Sequence, residues 1–142
     1  MSAALISALI FTVVLFVTTA YFLMGAIPLL ILKHDTDLDS RFVRGFFNTN
    51  YLAAMVAGGA TALSYAWAGN LIFSAGAAAL ALLAAVLRRT LIPRMDAHRS
   101  QIQERGTAAV PGFRRMHLSA ILLNLVQLVL IVGSLIVFPL SK

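Results

Sequence analysis

The chain of 142 residues is 61% hydrophobic and only 11% charged, which is too apolar for a soluble domain and typical of a protein with several membrane spans. The formal net charge of +6 favours basic loops beside membrane spans over a nucleic-acid interface. The chain has no cysteine, which excludes disulfides, thiolate metal sites and cysteine catalysis.

Four apolar runs predict transmembrane helices at about residues 3–32, 46–68, 71–87 and 116–140. A helix through the whole first run would be about 45 Å long, against a hydrocarbon core of about 30 Å, so we expect a tilt, a protrusion or a kink at Pro28. The length of this run and the lack of a basic start argue against a cleaved signal peptide.

The connections complete the predicted architecture. Gly69-Asn70 forms a tight turn between the second and third spans, and Pro93 is expected to end the third helix. The runs are too long, and alternate too little, for strands. We therefore expect an all-α membrane protein in which residues 1–142 form one domain, a bundle of four transmembrane helices in up-down order.

The basic residues predict the orientation of this bundle. Ten of the eleven Lys and Arg residues fall in two connections, residues 33–45 and 88–115. The positive-inside rule then places both loops in the cytoplasm and both termini on the other side. The expected location is the inner (plasma) membrane of a bacterium, with anionic lipids at its cytoplasmic face as partners.

Small residues predict where helices pack closely, because close backbone approach drives helix association in lipid. We expect the second and third spans to form a tight antiparallel hairpin, although alanine is also simply common in membrane helices. The small residues recur at a spacing of four in each span: Ala54, Gly58 and Ala62 in the second, Ala77, Ala81 and Ala85 in the third.

The candidate metal ligands form no recognisable site. Asp35, Asp37 and Asp39 alternate like the start of a calcium loop, but the glycine and glutamate that such a loop needs are missing, so these acids are expected to solvate the loop and favour the next helix N-terminus. His34 and His98 are expected to be solvated loop residues. With His117 they form no spaced pair, so neither a metal nor a haem is predicted.

The spans offer little for transport or catalysis. We find no Asp, Glu, Lys or Arg deep within an apolar run, which disfavours a proton-driven transporter. No nucleophile motif or phosphate-binding glycine loop occurs, so the sequence gives no support for an enzyme of the soluble type.

A set of polar residues near the cytoplasmic ends of the spans is the remaining candidate site. His117, Asn124 and Gln127 share one face of the fourth span and should face protein rather than lipid. Asn48, Asn50 and Arg88 lie at the same level on the second and third spans. We expect these residues either to form hydrogen bonds between helices or to line a pocket, open to the cytoplasm, for a headgroup, anion or small ligand.

Two segments carry a family resemblance: LIPRMDAHRSQ after the third span and FRRMHLSAILLNL at the start of the fourth. They resemble the transmembrane protein 205-like family of small four-span proteins of unknown function, in which Phe, His and Asn follow the spacing of Phe113, His117 and Asn124. GAIPLLI and RFVRGFF around the first loop are similar in layout, whereas Leu118-Ser119 departs from the Gly-x-Ser of the family. The resemblance implies a fold and no agreed biochemistry, and a related-looking group includes anthrone-oxygenase-like enzymes.

Three functions remain open. The leading hypothesis is an accessory or scaffold protein without catalysis of its own, associated with other membrane subunits or with itself. The second is a membrane oxidoreductase or cofactor-binding protein that uses His117 with Asn124, Asn48 or Arg88. The third is a small transporter or lipid-binding protein.

Overall fold

The computed structural model describes residues 2–140, and these form a bundle of four long helices. The bounds are α1 Ala3–Ala26, α2 Asp37–Trp67, α3 Leu71–Arg105 and α4 Val110–Leu140, with short 3-10 turns at Pro28–Ile31 and Gly106–Ala109. Successive helices run antiparallel. The prediction of an all-helical bundle in up-down order is confirmed.

The two ends of the bundle differ, and we name them for what they carry. The terminal end holds the start of α1, the turn between α2 and α3 and the end of α4. There Tyr65, Phe73 and Phe138 pack their rings with centroids 4.9–5.5 Å apart, on Leu5 and Ala8. The basic end holds the α1–α2 connection and the α3–α4 turn, and both connections rich in Lys and Arg lie there.

Three helical segments are long and apolar enough to cross a membrane: Ala3–Ile31, Leu71–Glu104 and Val110–Phe138. The α2 helix is not among them, because its composition includes Asn50, Thr61 and Ser64, all buried. It packs against both α1 and α3, so these polar side chains face protein. The structure thus supports a membrane protein, with α2 as its most interior helix.

The α2–α3 hairpin has the predicted form. Gly69 takes a left-handed φ of 74°, and Asn70 N–H donates to the Tyr65 carbonyl at 2.9 Å to close the turn. A Cβ placed on Gly58 would lie 3.1 Å from the Ala81 Cβ, so the two backbones approach closely at this point. Of the small residues expected there, Ala54, Gly58, Ala62 and Ala77 are buried, and Ala81 and Ala85 are partly buried.

The helix boundaries differ from the expected ones at the basic end. The first helix ends at Ala26, and Pro28 opens a 3-10 turn instead of kinking a longer helix. The second helix begins at Asp37, well before residue 46, because Thr36 caps it by accepting from Asp39 N–H at 3.2 Å. As expected, acidic side chains occupy the first turn.

The expectation that Pro93 ends the third helix is wrong. The α3 helix continues through it to Arg105, with the proline ring on the exposed side, and α4 starts already at Val110. The supposed loops, residues 33–45 and 88–115, are therefore mostly helical. The extension of α3 is held by Asp37, whose carboxylate accepts from Arg99 Nε at 2.6 Å and from Gln103 Nε2 at 2.8 Å.

Candidate functional site

Two histidines form the most enclosed polar contact of the basic end. His117, on the second turn of α4, points at the C-terminal end of α1, where its Nε2–H donates to the Ala26 carbonyl at 3.0 Å. That carbonyl belongs to the last turn of α1 and has no helical partner, so the histidine caps the helix. With Nε2 protonated, the neutral ring of His117 accepts at Nδ1, and His34 Nε2–H donates to it at 3.2 Å.

Aromatic rings seal this histidine pair from water. Both imidazoles are 0% exposed. Phe113 lies 5.4 Å from the His34 ring and Phe47 lies 5.2 Å from the His117 ring, measured between centroids. His34 reaches this position by adopting a left-handed φ of 60°, a conformation that histidine tolerates better than most residues. The α1–α2 connection is thus folded back under α4.

Burial also sets the charge of His34. It lowers the pKa of His34 below the ordinary 6.5, the nearby Arg114 guanidinium lowers it further, and the Leu32 backbone, Asp39 and Asp35 oppose this only in part. The ring is therefore neutral at pH 7. Its Nδ1 is then an acceptor, and it is buried with no hydrogen-bond partner among residues 2–140.

The expectation that His34 and His98 are solvated is therefore wrong. His34 is fully buried, because its loop folds into the bundle. His98 lies on α3, half-buried, with its ring against Gly112 of α4: a Cβ added there would come within 2.9 Å of the His98 Cε1. Nothing local in the sequence indicates these contacts, which join positions far apart in the chain.

A groove between α2 and α3 is lined by three arginines of the basic end, Arg44, Arg88 and Arg89. Arg88 Nε donates to Asn48 Oδ1 at 3.0 Å, and Arg44 forks onto the Asp96 carboxylate at 2.9 and 3.0 Å. The groove has a volume of about 530 Å³. Its lining residues are Arg44, Asn48, Met55, Ala85, Arg88, Arg89, Ile92, Pro93 and Asp96. The sequence indicates Asn48 and Arg88 as site residues. It does not indicate Arg44 and Asp96, because these two fall in segments that were expected to be loops.

The remaining predicted pocket residues lie elsewhere. Asn50 and Asn124 are 2% and 1% exposed, and the Nδ2 group of each is buried with no hydrogen-bond partner among the residues described. Gln127 lines a separate small cavity beside Thr19 and Leu15. The six predicted residues therefore do not converge on one pocket. They divide between the histidine pair, the arginine groove and the bundle interior.

A chamber of about 300 Å³ lies between the four helices near the terminal end. Its polar groups are mostly used within the bundle. Thr12 Oγ1 donates to the Ala8 carbonyl at 2.7 Å and lies 3.3 Å from the Tyr65 hydroxyl. Thr61 and Ser134 donate to carbonyls of their own helices. The walls are otherwise apolar, so the chamber has few free hydrogen-bond donors for a ligand.

The site has limited means to hold a metal. Within residues 2–140 no three His, Asp or Glu side chains are grouped as a metal would need. His34 Nε2 and His117 Nδ1 lie 3.2 Å apart, but the other ring nitrogen of His117 already donates a hydrogen bond to the Ala26 carbonyl. The arrangement suits a hydrogen-bonded neutral pair.

Comparisons with protein-family models, with curated proteins and with solved structures find no match to this chain. The resemblance to the transmembrane protein 205-like family, carried by Phe113, His117 and Asn124, therefore stays a prediction.

Proposed function

We propose that this chain is an integral membrane protein in which α2 is the fourth span. The exposed large apolar side chains of α2 form one stripe, while Asn50, Thr61 and Ser64 are buried, and the helix packs against α1 and α3. An interior helix can be less apolar than its neighbours, because it meets lipid along a narrow face only. The stripe consists of Leu38, Phe42, Leu52, Val56, Leu63 and Trp67.

The proposed orientation places the basic end in the cytoplasm of a bacterium, at its inner membrane, and both termini outside. The support is the concentration of Lys and Arg at one end of the bundle. The resemblance to a family of four-span proteins fits the same topology.

Single cysteines test span and orientation together, because the chain has none of its own. We expect a membrane-impermeant maleimide to label Ser2→Cys and Asn70→Cys on intact cells, and Lys33→Cys and Ser100→Cys only after permeabilisation. Labelling of Asn70→Cys and Lys33→Cys from the same side would mean that α2 does not span. The opposite pattern at all four positions would reverse the orientation.

The role we propose is that of an accessory or scaffold protein without catalysis of its own. The observation that carries this is that polar side chains at the basic end bond to one another and tie the helices together. Arg88–Asn48 and Arg44–Asp96 join α2 to α3, and His117–Ala26 joins α4 to α1. Such groups fix a shape and leave few free to act on a substrate.

Purification in a mild detergent tests this role. We expect a particle heavier than one chain, containing another membrane subunit or a second copy, without a visible absorbance band. A strictly monomeric particle in both detergent and nanodiscs would contradict the scaffold role.

A second candidate is a cofactor-binding protein or oxidoreductase that uses the histidine pair. The observation that favours it is the unpaired, buried His34 Nδ1 beside His117. An absorbance band or stoichiometric metal that is lost in His117→Ala but kept in His98→Ala would support it and replace the scaffold role.

A further inference from the structure

The arginine groove between α2 and α3 carries more positive charge than its own partners neutralise. Arg44 and Asp96 form a forked pair, which leaves Arg88 and Arg89 as the uncompensated charges of the lining. Among the residues described, Arg88 bonds to the neutral Asn48 alone, and no hydrogen bond or ion pair involves the guanidinium of Arg89. Two guanidinium groups that line the same groove are therefore available to an anion.

The side chain of Arg88 is held in position before any anion binds. Its Nε–H donates to Asn48 Oδ1 at 3.0 Å, which leaves the two terminal nitrogens of its planar fork free. Arg88 is half-buried and Arg89 is exposed, so one group is anchored and the other is adaptable. An anion at this place meets a guanidinium that has already lost part of its conformational freedom.

The rest of the groove is apolar. Met55, Ala85, Ile92 and Pro93 line it beside the charged groups. Arg88 directly follows the apolar stretch of α3, at the level where a span ends and lipid headgroups begin. A volume of about 530 Å³ exceeds what a bare phosphate needs. The combination of charge and apolar wall suits a molecule with an anionic head and an aliphatic continuation.

We propose that this groove is a binding site for an anionic phospholipid, with the phosphate held by Arg88 and Arg89 and the start of the acyl chains lying along Met55 and Ala85. The inference rests on the proposed insertion of the chain in a membrane with its basic end in the cytoplasm. It gives one defined place to the attraction that basic residues exert on anionic lipids.

The test measures lipid binding to the full chain in detergent by native mass spectrometry, with phosphatidylglycerol and phosphatidylcholine as the two probes. The variant is Arg88→Gln with Arg89→Gln. The control is Arg94→Gln with Arg115→Gln, which removes the same charge from exposed arginines outside the groove. We expect wild-type protein and control to prefer phosphatidylglycerol, and the groove variant to lose roughly tenfold or more in affinity for it.

Other results would overturn the site. An equal loss in both double variants would show diffuse attraction to the basic end. Displacement of the lipid by millimolar inorganic phosphate or glycerol phosphate would show a site for a soluble anion. Arg88→Lys with Arg89→Lys keeps the charge but loses the guanidinium fork, so it should recover part of the affinity. No recovery at all, with helical content unchanged by circular dichroism, would also contradict a charge-based site.

The cysteine labelling described above separates this failure from that of the proposed function. Four spans and a cytoplasmic basic end without lipid preference would remove the groove site alone. A different topology would remove the membrane orientation on which the site depends.

Discussion

The basic end and the terminal end of the bundle are held together by different means. At the basic end, directional bonds join helices: the histidine pair caps α1, and three arginines bond across α2 and α3. At the terminal end, three aromatic rings and small residues fit by shape, and most hydroxyls bond within their own helix. One end thus depends on specific partners, and the other on close packing.

The largest effect is expected from the polar contact at the basic end. His117→Ala removes two hydrogen bonds, leaves His34 Nε2–H and the Ala26 carbonyl unpaired and opens a cavity, so the free energy of unfolding should fall by about 3 kcal/mol. Tyr65→Phe at the terminal end loses only the contact with Thr12 and should cost about 0.6 kcal/mol. Unfolding in mixed micelles of increasing denaturing detergent measures both. Similar losses in the two variants would remove the contrast between the ends.

The shape-based packing of the hairpin can be broken at Gly58. Gly58→Leu forces a side chain against Ala81, whose Cβ would be 3.1 Å from the new Cβ, and should lower the free energy of unfolding by about 2 kcal/mol. Gly59→Leu is the matched control on the same helix, because no atom lies within 4 Å of its added Cβ. That change should be neutral or slightly stabilising, since leucine favours helix over glycine. Equal destabilisation by both would contradict the close approach of α2 and α3.

The third expectation is that the stability of the basic end depends on pH through His34. Because the pKa of His34 is lower in the folded protein than its ordinary 6.5, the unfolded chain binds more protons below that pH, and stability falls as pH drops below about 6.5. His34→Asn removes the titrating ring while keeping a residue that tolerates its left-handed φ of 60°.

The thermal unfolding midpoint at pH 7.5 and pH 5 measures this effect. The fall between the two should be smaller in His34→Asn than in the unsubstituted chain. Arg99 lowers the pKa of Asp37 below its ordinary 3.8, so that carboxylate stays ionised over this interval and does not contribute. An equal fall in both proteins would show that His34 does not carry the pH dependence.

The smallest effect is expected from the ion pair in the arginine groove. Arg44 and Asp96 are 33% and 41% exposed at their side chains, so solvent screens them, and Asp96→Asn should cost less than about 1 kcal/mol. The cost should shrink further as salt is raised. A double-mutant cycle with Arg44→Gln gives the coupling energy, and a value that does not change with salt would contradict a screened surface pair.

The sequence predicts those parts of the fold that are encoded locally. Gly69-Asn70 marks the hairpin turn, and the small residues around Gly58 mark its packing, because both depend on residue types at fixed spacing. Pro93 misleads because a proline ring can lie on the exposed side of a helix held at both ends by tertiary contacts, such as Arg99–Asp37. The burial of His34 depends on a contact with His117, which lies 83 residues later in the sequence, and no local pattern indicates it.

In the proposed membrane orientation, α3 is longer than the hydrocarbon core that it crosses. Its 35 residues make a rod of about 52 Å, of which only about 30 Å fits the hydrocarbon core. The remainder projects beyond the bilayer and is clamped to the start of α2 by Arg99 and Gln103 on Asp37. A change of about 10° in helix tilt, of the size by which spans adjust to bilayer thickness, swings one end of such a rod by about 9 Å relative to the other. In the proposed orientation, the position of the basic end would therefore depend on the tilt of α3, and through it on bilayer thickness.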